Sequence, residues 1–98
     1  MFLDTVLEAW SPYVARVEAL GFDIRVKRSD EHGKLGIELE SSGLVGLVSA
    51  WEHAQCLDFE YLRLPEKEGG VLFAGSCDGA AELEARLEAV LELIQDCK

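Results

Sequence analysis

The residues best suited to chemistry lie in one short stretch, where His53 follows Glu52 and precedes Cys56 by three positions. A histidine within reach of a cysteine can take the thiol proton and create a nucleophilic thiolate. The stretch is a short polar turn, and no neighbouring segment offers the donors that would stabilise an oxyanion. We therefore predict an ordinary turn histidine beside a buried thiol, with a catalytic Cys-His pair as the alternative.

Other signatures of enzymes and metal sites are missing from the sequence. The three cysteines include no Cys-x-x-Cys pair, and only two histidines could assist them, so we expect no zinc site. Gly69-Gly70 lacks the lysine and the following helix of a phosphate loop. No nucleophile elbow, metalloprotease motif or dinucleotide fingerprint occurs. The sequence predicts neither catalysis nor a cofactor nor a metal.

Cysteine usage and hydropathy indicate the compartment. Cys56, Cys77 and Cys97 are odd in number and irregularly spaced, which is typical of reduced thiols in a cytoplasmic protein. Asp4 stands where a signal peptide would carry basic residues. No apolar run approaches the roughly 18 residues that span a bilayer. We expect a cytoplasmic protein that does not contact a membrane.

Charge is the strongest bulk signal in the chain. Nineteen acidic residues face nine basic ones, which gives a formal net charge of −10 at pH 7. An acidic surface attracts basic partners, and it repels the phosphates of nucleic acid. The hydrophobic share of 49% is normal for a globular protein, and 98 residues fit one domain, 1–98. Together these features predict a small acidic binding module.

Periodicity predicts the elements that position these residues. Apolar residues recur every three or four positions from Leu3 to Leu20, with Thr5 and Glu8 as a capping box, a kink at Pro12 and Gly21 as the C-terminal cap. Alternation then predicts strands over 22–27, 35–40, 44–51, 57–61 and 71–77, a charged loop over 65–70, and a final helix capped by Asp78.

Connection lengths predict the architecture. Hairpin-length turns imply an antiparallel meander of about five strands. Two amphipathic helices need one shared apolar surface, so both should cover the same face of the sheet. The expected fold class is α+β, with an N-terminal helix, the meander and a C-terminal helix in a single domain.

Strand alternation also gathers carboxylates on the face that the helices leave free. If the apolar residues of strand 35–40 face the helices, Glu38 and Glu40 face away, and the same reasoning directs Asp58 and Glu60 outward. Two interpretations remain open at this point. The face is either a solvated surface of mixed charge or a docking surface for a basic partner.

Trp51 bears on that choice. It shares strand parity with Val45, Leu47 and Ser49, and either this set or Gly46, Val48 and Ala50 leaves the helix-covered side. The sequence does not decide between them, because both sets are apolar. A tryptophan exposed among carboxylates would be an interface anchor, whereas a core tryptophan is the alternative.

The last helix carries a second acidic feature. Glu84, Glu88 and Glu92 follow one another at four-residue spacing, where like charges repel mildly. This ridge is either a solvated face that aids solubility or a surface used on a partner.

Read as a whole, the chain resembles the small immunity proteins of contact-dependent growth inhibition and related polymorphic toxin systems, closest to the TriTu immunity family. The resemblance rests on Leu20-Gly21-Phe22, on 44–51 followed by Glu52, on Cys56-Leu57-Asp58-Phe59-Glu60, and on the leucine-rich acidic helix 82–94. It implies a stoichiometric inhibitor that binds the C-terminal toxin domain delivered by a neighbouring cell, with a nuclease such as a tRNase as the expected toxin. The family name reflects toxins associated with elongation factor Tu, which makes a ternary complex a further expectation.

These lines combine into one functional hypothesis. We expect a cytoplasmic immunity protein that occludes a basic nuclease with its acidic surface, without catalysis and without direct contact to nucleic acid. The expected partner-binding residues are Glu38, Glu40, Trp51, Asp58 and Glu60. The alternatives are an acidic secretion chaperone for an exported effector, which would dimerise and wrap an unfolded client, and an enzyme whose site has no recognised motif.

Overall fold

The computed structural model describes residues 1–96 as helices packed against one five-stranded antiparallel sheet. The strands run in the order β1-β2-β3-β4-β5, so the predicted α+β meander is confirmed. Cys97 lies outside the described residues, and the prediction of free thiols is confirmed for Cys56 and Cys77. In chain order the elements are α1 (Phe2–Trp10), a 3₁₀ turn (Ser11–Tyr13), α2 (Val14–Ala19), β1 (Asp23–Ser29), β2 (Lys34–Glu40), β3 (Leu44–Trp51), a 3₁₀ turn (His53–Gln55), β4 (Cys56–Arg63), β5 (Glu68–Phe73) and α3 (Gly79–Asp96).

The first helical segment comprises α1, the 3₁₀ turn and α2, and it is kinked at Pro12. Pro12 lies in the 3₁₀ turn between α1 and α2, as predicted, because proline removes a backbone donor. The predicted Thr5–Glu8 capping box is wrong, since α1 already begins at Phe2. Its first turn is capped instead by Glu52, whose carboxylate accepts the backbone N–H groups of Phe2 at 2.8 Å and Leu3 at 3.3 Å. The carboxylate therefore satisfies donors that the helix leaves free.

One hydrophobic core joins both helices to the same face of the sheet, as predicted. The apolar stripe expected for the last helix is buried. On the sheet, alternate positions of β2, β3 and β4 are fully buried against it. The largest fully buried side chains are Trp10, Phe59, Leu3, Leu35, Ile37, Leu39, Leu44, Leu57, Leu87 and Ile94.

The end of the meander differs from the sequence prediction. Gly69 and Gly70, expected in a loop, belong to β5 and pair with Leu62 and Tyr61. A Cβ at Gly69 would lie 2.5 Å from the carbonyl oxygen of Tyr61, so this glycine permits close strand approach and does not make a turn. The strand also ends at Phe73, earlier than predicted.

The connection from β5 to α3 is held by Arg86. Its guanidinium donates to the carbonyl oxygens of Leu57 at 2.8 Å, Gly75 at 3.1 Å and Ser76 at 2.8 Å. It also donates to Glu82 at 2.9 Å. The expected Asp78 cap is replaced by the reverse contact, in which the backbone N–H of Asp78 donates to Glu82 at 2.7 Å.

Candidate protein-binding face

Strand register decides which side Trp51 occupies. In β3, the alternate residues Gly46, Val48 and Ala50 are buried under the helices. Trp51 belongs to the opposite set and lies across from Lys34 of β2 and Cys56 of β4. Residues paired across strands share a face. We call this helix-free side the open face; it carries Asp23, Arg25, Lys27 and Ser29 of β1, Lys34, Gly36, Glu38 and Glu40 of β2, Val45, Leu47, Ser49 and Trp51 of β3, Cys56, Asp58, Glu60 and Leu62 of β4, and Val71 of β5.

All five residues expected at the interface belong to the open face. Glu38 and Glu60 flank Leu47 on either side of β3. Since neighbouring strands lie about 4.8 Å apart, the carboxylates of β2 and β4 are separated by roughly 10 Å across the central strand. Asp58 of β4 lies opposite Ser49, two residues further along β3. The geometry brings the four predicted carboxylates to both borders of one central strand.

The four carboxylates differ in what they contact. Glu38 accepts from Lys27 at 3.2 Å in an exposed ion pair, which is worth little in water. Asp58 accepts the backbone N–H of Gly75 at 2.9 Å and so helps to hold the segment after β5. Within residues 1–96, neither Glu40 nor Glu60 has a cation within 4.0 Å, and both are exposed. These two are the carboxylates most available to a partner.

Trp51 is half-buried at one end of the open face. The ammonium group of Lys34 lies 5.7 Å from the centroid of its ring, within the range of a cation–π contact. The interpretation of Trp51 as a core residue is therefore wrong, because the ring lies on the helix-free side with Lys34 over one of its faces. Its role as an interface anchor stays a prediction.

Exposed apolar side chains lie toward the β5 edge of the open face, and sequence reasoning did not assign them a role. Leu62 lies opposite Val45 and is 37% exposed, and Val71 lies opposite Glu60 and is 58% exposed. Extending the alternation of β4 beyond Tyr61 would have identified Leu62. Exposed apolar residues bordered by charged ones are the usual composition of a protein–protein interface.

Charge is graded across the open face. The cations Arg25, Lys27 and Lys34 lie on β1 and at the start of β2. Glu60 lies on the other side, beside exposed Leu62 and Val71, and Glu40 lies at the end of β2, across Val45 from Leu62. A basic partner is therefore attracted to the part of the face that bears Glu40, Leu62 and Glu60.

The remaining candidates from the sequence do not assemble a site. His53 is exposed, and Cys56, which was expected to be buried, is half-buried. Its thiol donates to the carbonyl oxygen of Ala54 at 3.8 Å. Burial raises the pKa of the Cys77 thiol, which favours its protonated and unreactive form. Among residues 1–96, no group of three His, Cys, Asp or Glu side chains is placed to hold a metal ion.

The acidic ridge of α3 is exposed, as expected from its spacing. One of its members affects a residue of the first helical segment, because the Glu88 carboxylate near the Tyr13 hydroxyl raises the pKa of that phenol. The exposed apolar residues of α3 are only the small Ala80, Ala81 and Ala85, so the ridge lacks the larger exposed apolar side chains of the open face.

No helix within residues 1–96 combines the length and apolar character needed to cross a bilayer. Comparison with known proteins finds no matching family model, no matching curated protein and no matching solved structure.

Proposed function

We propose that this protein is a cytoplasmic immunity protein that binds the C-terminal toxin domain of a contact-dependent inhibition system and neutralises it by occlusion. The observation that carries the proposal is the open face, where the uncompensated carboxylate of Glu60 borders exposed Leu62 and Val71 and that of Glu40 lies across Val45 from Leu62. A face of this kind suits a folded basic domain better than it suits nucleic acid, because phosphates would be repelled.

The electrostatics fit an inhibitor of a nuclease. A nuclease holds its substrate with Lys and Arg side chains, and a carboxylate-bearing surface can pair with the same side chains. The net charge of −10 adds long-range attraction and accelerates encounter with such a domain. Inhibitor and substrate would then compete for one set of cations.

The open face is a better candidate surface than the helix side. Burial of apolar area contributes roughly 25 cal/mol per Å² to association, and the open face offers branched apolar side chains for that purpose. The exposed apolar residues of α3 are the small Ala80, Ala81 and Ala85, so its acidic ridge provides attraction with little apolar contact area. Its placement on a solvated surface is consistent with a role in solubility.

The test is a pull-down of the tagged protein from extracts of its own cells at low and moderate salt, with partners identified by mass spectrometry. The captured domain is then purified and assayed for nuclease activity. We expect a folded basic toxin domain whose activity is abolished at one equivalent of this protein. A ternary complex with elongation factor Tu, a prediction from the resemblance, is tested by the same capture.

Two outcomes would overturn the proposal. Capture of an unfolded secreted client, or of a second copy of the chain alone, would support the secretion chaperone instead. A captured domain that remains fully active at saturating protein would exclude neutralisation.

A further inference from the structure

The two edge strands of the sheet differ in how they are protected. Natural sheets keep other chains from pairing with an edge by placing charged residues, above all lysine, or proline on it. β1 carries Arg25, Lys27 and Arg28, whereas the only charged residue of β5 is Glu68, at its start. β5 contains neither lysine nor proline. It is therefore the less protected edge.

The outer side of β5 is open to another strand. Residues 68–72 are exposed, and within residues 1–96 no backbone hydrogen bond joins β5 to an element other than β4. Alternate N–H and C=O groups of an edge strand point away from the sheet, where a further strand can bind them. Regular pairing with β4 covers residues 68–71, because the register shifts at Phe59–Glu60. We call residues 68–71 the edge segment.

The edge segment presents side chains on both sides of the sheet. Val71 pairs with Glu60, so it belongs to the open face, where it is 58% exposed. Glu68 pairs with Arg63, which in turn pairs with buried Leu44, so Glu68 lies on the helix side. A strand added to β5 would run along both residues. A partner that rests on the open face alone would contact Val71 and not Glu68.

Charge indicates what kind of strand fits the edge segment. In the part of the chain that the structure describes, no cation lies within 4.0 Å of the Glu68 carboxylate. The guanidinium of Arg63, its cross-strand neighbour, lies instead 5.7 Å from the centroid of the Tyr61 ring. An incoming lysine or arginine opposite Glu68 would form a favourable cross-strand pair. The net charge of −10 attracts such a strand and repels a second copy of the chain.

We propose that an extended strand of the basic partner domain pairs antiparallel with the edge segment, with an apolar residue opposite Val71 and a lysine or arginine opposite Glu68. This inference rests on the proposed function and specifies how the partner binds. In this mode of recognition the main-chain hydrogen bonds give affinity and alternate side chains give specificity. Antiparallel register places the cation three positions after the apolar residue in the partner strand.

The first test needs no partner. The amide signals of the full chain are followed by NMR during titration with the peptide acetyl-Thr-Val-Thr-Thr-Lys-Thr-amide. We expect shifts centred on residues 68–72 in the millimolar range, because few hydrogen bonds form and the peptide must be ordered. A peptide with proline in place of the central threonine before the other should not bind, since it lacks a ladder donor.

Three results of this titration would overturn the inference. Equal shifts with a peptide that carries glutamate in place of lysine would exclude recognition of a cation. Absence of shifts in the edge segment, or shifts centred on β1, would exclude this edge as the binding site. Changes in the same signals on dilution of the chain alone would assign the edge to a second copy.

The captured domain then tests the edge segment in the complex. Amide hydrogen exchange is compared between the free and the bound chain, and alternate amides of β5 should become protected. Glu68→Lys should weaken binding at least fivefold, because like charges would face each other across the added strand. Glu31→Lys, an equal change of charge at an exposed position in the turn between β1 and β2, should leave the affinity nearly unchanged.

The outcomes separate this inference from the proposed function. If β5 amides exchange in the complex as they do in the free chain, and Glu68→Lys binds normally, strand addition is wrong. The proposed function still stands in that case if the captured toxin domain is neutralised. If the captured domain protects β5 and yet remains fully active, strand addition is supported and neutralisation is wrong.

Discussion

Replacing Arg86 by alanine should lower the free energy of unfolding more than the same replacement at any other surface arginine. The side chain is 14% exposed, and it donates at 2.8–3.1 Å to carbonyl oxygens of β4 and of the β5–α3 connection. It also lies 5.3 Å from the centroid of the Phe73 ring. One side chain thus joins α3 to the end of the sheet.

The magnitude follows from these contacts. Hydrogen bonds to a charged group contribute about 1.5–3 kcal/mol each, but water can reach the partly exposed carbonyls and replace some of that loss. We expect Arg86→Ala to lower the free energy of unfolding by about 2–4 kcal/mol. Alanine is the best helix former, so the substitution itself does not weaken α3. Arg86→Lys keeps the charge and loses the planar fork, and it should lose about half as much.

The assay is equilibrium urea unfolding followed by circular dichroism. The matched control is Arg16→Ala, which removes a helical arginine whose guanidinium lies 5.2 Å from the Tyr13 ring centroid and should cost less than about 1 kcal/mol. Equal losses for Arg86→Ala and Arg16→Ala would refute the reasoning. So would an Arg86→Lys variant as destabilised as the alanine variant, because the fork geometry would then be irrelevant.

Three further perturbations test other contacts. Glu52→Ala should cost about 1–2 kcal/mol in urea unfolding, since α1 loses its cap, and Glu52→Gln, which keeps an acceptor, should cost less. Ala54→Gly should raise stability by about 0.5 kcal/mol. The positive φ of 67° strains alanine, and relief of this strain outweighs the extra conformational entropy that glycine gives to the unfolded chain. The pKa of Glu82 is lowered, first by the Asp78 N–H and then by Arg86, so its contribution to stability is present above pH 4.5 and is lost as the pH falls through the lowered value. Glu82→Gln should therefore flatten the dependence of unfolding free energy on pH below 4.5, and an unchanged slope would contradict the assignment.

Local patterns in the sequence were enough to predict the fold. β3 begins and ends at the predicted residues because Leu44–Trp51 is a mainly apolar run between polar turns. The stripe of α3 and the cap at Gly21, with φ of 91°, depend on residues adjacent in sequence. Properties of this kind are set by neighbours along the chain, and periodicity reports them directly.

Contacts between distant segments account for the errors. The cap of α1 comes from Glu52, fifty residues from Phe2, and no local motif reports such a pair. Gly69-Gly70 has the composition of a turn, yet pairing with β4 makes it part of a strand. The side occupied by Trp51 was undecidable from alternation alone, because both sets of β3 are mainly apolar and only the register with β2 and β4 separates them.

In the candidate site, too, local sequence patterns predicted some features, and contacts between distant segments determined the others. Alternation placed Glu38, Glu40, Asp58 and Glu60 on one face, and the register confirms that placement. Their individual contacts could not be predicted, since Lys27 reaches Glu38 and Gly75 reaches Asp58 only through the folded sheet. The consequence is a sharper proposal, in which Glu40 and Glu60 are the carboxylates left for a partner.

The most direct measurement of the central proposal is the affinity of the purified toxin domain for Glu40→Lys/Glu60→Lys, compared with Glu84→Lys/Glu92→Lys as a charge-matched control on α3. We expect the open-face variant to bind about tenfold to thirtyfold more weakly, mostly through a slower on-rate and with a reduced salt dependence. The α3 variant should share only the small general effect of altered net charge. Equal affinities for the two variants, with both folded, would contradict binding through the open face.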